Sequence, residues 1–170
     1  MPASRLAVCA AALALFLPAA VAAQALASPG STATLNTATT RAAFDAWAAG
    51  QASVFDLLAE DVVWTVAGTS PVSGTYRSRA DFMERAVAPI SSRLATPIVP
   101  QVEAVIAQGD DVVVLWQGTA TTRSGAPYAN RYAWRMTFAE GAIVQVTAFL
   151  DTWALDAMMR SETRATRTAP

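Results

Sequence analysis

From residue 101 onward the chain alternates apolar and polar positions with the period of two that belongs to half-buried strands. Four runs are predicted as strands: 101–107, 112–120, 128–138 and 143–151. Turn residues part them, namely Gln108-Gly109-Asp110, Arg123-Ser124-Gly125 and the tight hairpin Glu140-Gly141. The third run is the most regular. Asn130, Tyr132, Trp134, Met136 and Phe138 share one face, and Arg131, Ala133, Arg135 and Thr137 share the other. The second run starts apolar on both faces, as a well-covered strand does. The fourth ends on a single acid, Asp151. Either Asp151 or Thr152 can cap a last helix carrying Trp153, Leu155, Asp156 and Met159.

Upstream the pattern is helical. A helix is predicted from Thr40, its cap, to Ala49, with Phe44 and Trp47 on one face and Gly50 ending it. Ser53-Val54-Phe55-Asp56 reads as a capping box opening a short helix through Leu58. Residues 62–66 read as a strand with Val62, Trp64 and Val66 on one face, and Tyr76 starts another short strand after a loop at Pro71 and Ser73-Gly74. Ser78-Arg79-Ala80-Asp81 opens a helix through Phe82, Arg85, Ala86 and Val87, predicted to stop at Pro89 because proline has no amide to donate. Helices first and a hairpin-linked meander afterwards predict an α+β fold on a largely antiparallel sheet. A chain of 170 residues suits one such domain.

The ends read differently. Residues 1–25 have the form of an export signal: Arg5, an apolar run over 6–17, Pro18, then small residues at Val21-Ala22-Ala23. The run is short for a membrane span of roughly 20 residues. The expected product is exported, periplasmic or secreted, and free of the membrane after cleavage. Residues 26–39, rich in Ala, Ser and Thr, are expected to be a linker, 40–160 the domain, and 161–170 a polar tail. The single cysteine, Cys9, lies within the apolar run, so no disulfide is expected in the mature chain.

Composition narrows the chemistry. There is no histidine, and all twelve basic residues are arginine. That excludes Ser–His and Cys–His machinery and a lysine Schiff base, and it leaves zinc without its usual ligands. Proton transfer is left to Asp, Glu or Tyr. A net charge of −1 gives no footprint for nucleic acid. Asp110-Asp111 lacks further oxygen ligands for a hard cation and reads as a solvated turn. No cofactor is expected.

A set of short signatures, taken in order, resembles the SnoaL-like branch of the cone-shaped nuclear transport factor 2-like fold. They are Ala59-Glu60-Asp61 before Trp64, Pro71 with Gly74-Thr75-Tyr76, Gly109-Asp110, Gly125 with Tyr128 and Asn130-Arg131-Tyr132, Gly141, and Leu150-Asp151-Thr152. That branch includes polyketide cyclases and ketosteroid isomerase-related proteins. The resemblance implies a curved sheet wrapped on helices around a deep apolar pocket, a small hydrophobic ligand, and a homodimer formed through the outer sheet face. It also places an acid for proton transfer at Asp151. Two other catalytic sets of the fold are missing. The base that ketosteroid isomerases keep near the first strand meets Thr65-Val66-Ala67-Gly68, and their later acid falls at Trp134. The arginine–aspartate pair of limonene epoxide hydrolase meets Val114-Leu115-Trp116-Gln117.

Two functions are therefore open. One is a cofactor-independent isomerase or cyclase acting on a small carbonyl compound. In it Asp151 is the base, its pKa raised by an apolar pocket, and Tyr132 or Asn130 stabilises the enolate. The other is a non-catalytic binding module, in which Asp151 is simply a helix cap. In either case Trp64, Tyr76, Phe82, Trp116, Trp134 and Phe149 are the candidate pocket walls, each also readable as ordinary core.

Overall fold

Six strands form one sheet in the order β2-β1-β6-β5-β4-β3 in the computed structural model, which describes residues 29–165. The strands are β1 (Leu58–Val66), β2 (Gly74–Tyr76), β3 (Val99–Gln108), β4 (Asp111–Thr121), β5 (Pro127–Ala139) and β6 (Ala142–Leu150). Neighbours are antiparallel except β1 and β6, which run parallel and stitch the early strands onto the end of the meander. Register shifts at Leu58/Val63, Val102/Ala104 and Thr137/Phe138 mark bulges. Bulges bend a strand and raise its twist, and here they curve the sheet. The architecture is the α+β fold expected, with a curved, mostly antiparallel sheet.

Strand parity sorts the side chains as their sequence pattern requires. Val112, Val114 and Trp116, then Trp134, Met136 and Phe138, then Ile143, Val146 and Ala148 are buried on the concave face. Phe44 from α1 (Pro29–Ala48) and Phe82 from α2 (Arg79–Phe82) cover them. The opposite face holds Arg135 2.8 Å from Asp111 and Arg131 3.7 Å from Glu103, both partly open to solvent. Asp111 is thus more than a solvated turn residue. It begins β4 and accepts from Thr137 as well, and the Thr137 hydroxyl and the Arg135 guanidinium hold its carboxyl below the usual range.

Several element boundaries differ from expectation. The helix α1 begins at Pro29, not Thr40, so residues 29–39 are helical rather than a linker. Its inward positions one and two turns before Phe44 are the buried Thr40 and Asn36, and a polar inward face hides the helical period. Ser53 caps as expected, its Oγ accepting from the Phe55 amide and its own amide donating to Asp56, but the turn it opens is a 3-10 turn over Val54–Leu57. Pro89 does not stop the next helix. After α2 the chain makes a π turn over Met83–Val87 and then α3 (Ala88–Ser91), where proline sits in the first turn and needs no amide. The last helix, α4 (Thr152–Ala165), takes in the first half of the expected polar tail. The export-signal reading falls outside the described residues.

Candidate functional site

Between the concave sheet face and the segment running from α2 to α3 lies a cavity of about 480 Å³. Aromatic rings frame it. Trp64 stacks on Phe82 at 4.1 Å, and Trp134 stands edge-on between Trp64 and Trp116 at 4.9 and 4.8 Å. Tyr132 lies flat on Trp116, with centroids 3.9 Å apart and planes 9° apart. Gly118 makes that stack possible. A Cβ there would come within 2.9 Å of both Trp116 Cζ3 and Ile98 Cγ2, and 3.1 Å from Tyr132 Cε2. Trp47 and Phe55 close one end, and Leu94, Leu150 and Leu155 close the other. Among the described residues no Asp, Glu or Arg lines the cavity, and the ionisable walls are Tyr128 and Tyr132. Among the described residues no group of acidic or cysteine side chains is placed to hold a metal ion.

The two tyrosines are joined. Tyr128 Oη and Tyr132 Oη are 3.1 Å apart, and Asn130 Nδ2 donates to Tyr128 Oη at 3.1 Å. Residues 128, 130 and 132 share the inward face of β5, so strand geometry alone sets the three in a row. Burial pushes the Tyr128 phenol up, against the pull of its bonds to Tyr132 and Asn130. Burial also pushes Tyr132 up strongly, helped by its neighbour Tyr128. Both stay protonated through the neutral range, which makes them hydrogen-bond partners and not bases. Tyr128 was missed among the candidate site residues. Its signal was present, since it lies two positions before Asn130 on the same strand.

The other candidates part company. Trp64, Phe82, Trp116, Trp134 and Tyr132 all line the cavity. Tyr76 does not: it packs edge-on to Phe82 at 5.6 Å with Arg85 over its ring. Phe149 is 52% exposed on the outer face, because β6 turns Ala148 and Leu150 inward and Phe149 lies between them. Asn130 is buried but spent on structure. Its Oδ1 accepts from the Arg131 and Asp151 amides, and its Nδ2 also donates to the Asp151 carbonyl. Asp151 is exposed, and its Oδ1 accepts from the amides of Trp153 and Ala154 at 3.0 Å each. Its carboxylate therefore caps α4 and does not enter the cavity, which corrects its placement as a buried base.

Residues 40–146 match the family model for the SnoaL-like domain. The chain belongs to the SnoaL-like family. A comparison with curated proteins finds no match. Among solved structures, the SnoaL-like chain is similar to an NTF2-like protein from Burkholderia thailandensis, at 24% identity and a TM-score of 0.59, over 75% of this chain and 97% of that one. It is similar to Bal32a from a soil-derived mobile gene cassette at 20% identity and a TM-score of 0.64, over 76% and 99%. TerC, crystallised with polyporic acid, matches at 20% identity and 0.58, over 74% and 98%. These likenesses establish the nuclear transport factor 2-like fold.

Next to the cavity-lining Leu94, one arginine joins three elements. Arg93 Nε donates to the Met159 carbonyl of α4, and its guanidinium donates again to the Pro89 carbonyl of α3 at 2.8 Å. Its own carbonyl accepts from the Arg123 amide in the β4–β5 turn. One side chain and its backbone thereby tie these elements together.

Proposed function

We propose that this SnoaL-like domain is a binding module for a small, flat, mostly apolar molecule, and that it is not an acid–base isomerase or cyclase. The observation that carries this reading is the cavity wall: four tryptophans, two phenylalanines and aliphatic side chains, with no carboxylate among them. Proton abstraction next to a carbonyl needs a base that is ionised near neutral pH and within hydrogen-bond reach of the substrate. The acid best placed in sequence, Asp151, is turned to the amides of α4. A hollow of about 480 Å³ framed by aromatic rings has the size and character of small-molecule sites. TerC, of the same fold, was crystallised with polyporic acid.

The test uses the protein's own fluorescence, since Trp47, Trp64, Trp116 and Trp134 all line the cavity. Titration with three-ring aromatic compounds is expected to quench the emission saturably and to raise Tm by linkage. Asp151→Asn is expected to bind as the parent does. Absence of saturable binding by every compound sinks the binding reading. Turnover of a ketone substrate that is lost in Asp151→Asn restores the enzyme.

A further inference from the structure

We infer that Asn130, Tyr128 and Tyr132 form a hydrogen-bond relay that presents the Tyr132 hydroxyl proton to the cavity, so that the site selects uncharged ligands bearing an acceptor oxygen. The inference rests on the binding reading above and names the group that gives it specificity.

The direction of the relay follows from counting donors. Asn130 Oδ1 accepts from two backbone amides, at 2.8 and 3.0 Å. That fixes which end of the amide is oxygen, so the other end must be the donor. Its two protons go to the Asp151 carbonyl at 2.9 Å and to Tyr128 Oη at 3.1 Å. Tyr128 therefore receives one bond and still has a proton to give. Among the described residues the acceptor within reach of that proton is Tyr132 Oη. Whichever phenol donates across that contact, one proton of the pair is left without a protein acceptor, and because Tyr128 is 5% exposed while Tyr132 is only half-buried, the free proton is assigned to Tyr132. Tyr132 then accepts from Tyr128, and its own proton has no protein partner among the described residues. Chained donors polarise one another, which strengthens the last one.

The wall holds other donors, the indole N–H groups of Trp47, Trp64 and Trp134 among them, but Tyr132 is the one that ends a hydrogen-bond chain. Trp116 Nε1 also lacks a partner, but the atom is fully buried. Ser53 Oγ accepts from the Phe55 amide, so its proton stays available, but it stands apart from the tyrosine chain. Thr96 Oγ1 accepts from the Thr121 amide, and Thr96 and Ser91 are exposed at the mouth. The Tyr132 ring cannot swing aside while it lies between Trp116 and the crowded approach of Gly118. With no cation in the wall, a buried anion has nothing to offset its lost hydration, so a neutral carbonyl or ether oxygen is the matched acceptor.

Fluorene, 9-fluorenone and fluorene-9-carboxylate test this, because they share a flat three-ring frame and differ at one position. The expected order of affinity is fluorenone first, about fivefold to tenfold over fluorene for one neutral hydrogen bond, with the carboxylate weakest. Tyr132→Phe keeps the ring stack and is expected to abolish the preference, so that the variant binds fluorenone and fluorene equally. Tyr128→Phe is expected to give an intermediate preference. Equal binding of fluorene and fluorenone by the parent, a preference that survives Tyr132→Phe, or a carboxylate that binds tightest each overturns the proposal while leaving a binding site in place. A preference untouched by Tyr128→Phe overturns the relay. Failure of all three compounds to bind overturns this proposal together with the binding reading.

Discussion

Asn130 uses all of its hydrogen-bonding capacity on two backbone amides, one carbonyl and one phenol. Two of those partners, the amide and the carbonyl of Asp151, fix the point where β6 ends and α4 begins. Asp151, next to it, contributes a side chain to two amides at the exposed start of α4. The two substitutions are therefore expected to differ in size. Asp151→Ala loses a cap and is expected to cost about 1 kcal/mol. Asn130→Ala strands buried groups and is expected to cost about 3 kcal/mol. Urea unfolding of both variants measures the ranking, and an Asp151→Ala cost at or above that of Asn130→Ala would contradict it. Asp151 was the hardest residue to place from sequence. An acid that ends a strand and starts a helix satisfies both readings, and only the position of its oxygens separates them.

At the scale of elements, most strands were legible because alternation survives wherever one sheet face is buried. Helix α1 was legible only from Thr40 onward, since Asn36 and Thr40 are buried polar residues on its inward face. Neither Asn36 Nδ2 nor Thr40 Oγ1 has a hydrogen-bond partner among the described residues. Thr40→Val removes an unpaired buried hydroxyl at nearly constant shape and helix propensity. It is expected to raise stability by about 1 kcal/mol, read as a higher denaturation midpoint at unchanged slope. A loss of stability would mean the hydroxyl is satisfied in solution. The π turn over Met83–Val87 was invisible for a different reason. Its residues are ordinary helix formers, and nothing in their order marks the wider turn. The turn has a visible effect, however. Phe82, Ala86 and Ile90 line the cavity at spacings of four, which on an α-helix would drift by about 40° per step. A stretch of wider turn offsets that drift and keeps the stripe facing the hollow.

For the whole molecule, the resemblance to SnoaL-like proteins anticipated the sheet, its curvature and the existence of a hollow. It did not anticipate the content of the hollow, because pocket walls come from segments scattered between Trp47 and Leu155 whose inward residues also read as core. The tyrosine pair links the cavity to global stability. Burial raises both phenols above the unfolded value of about 10. Protonated tyrosine is thus favoured by the fold. Its contribution is complete below pH 10 and falls as the unfolded chain releases protons that the native chain keeps. Denaturant midpoints are expected to be flat from neutral pH to about 9 and to decline above 10. The decline should be shallower in Tyr132→Phe, and an unchanged slope would show that Tyr132 ionises as freely in the native protein as in the unfolded one.

A hollow walled without a fixed charge has one more consequence. A neutral guest entering it exchanges no proton and displaces no counterion, so neither a change of salt nor mild acidification gives the protein a handle for discharging its cargo. Release would have to come from dilution, from competition by another guest, or from loosening of the arginine clasp beside Leu94.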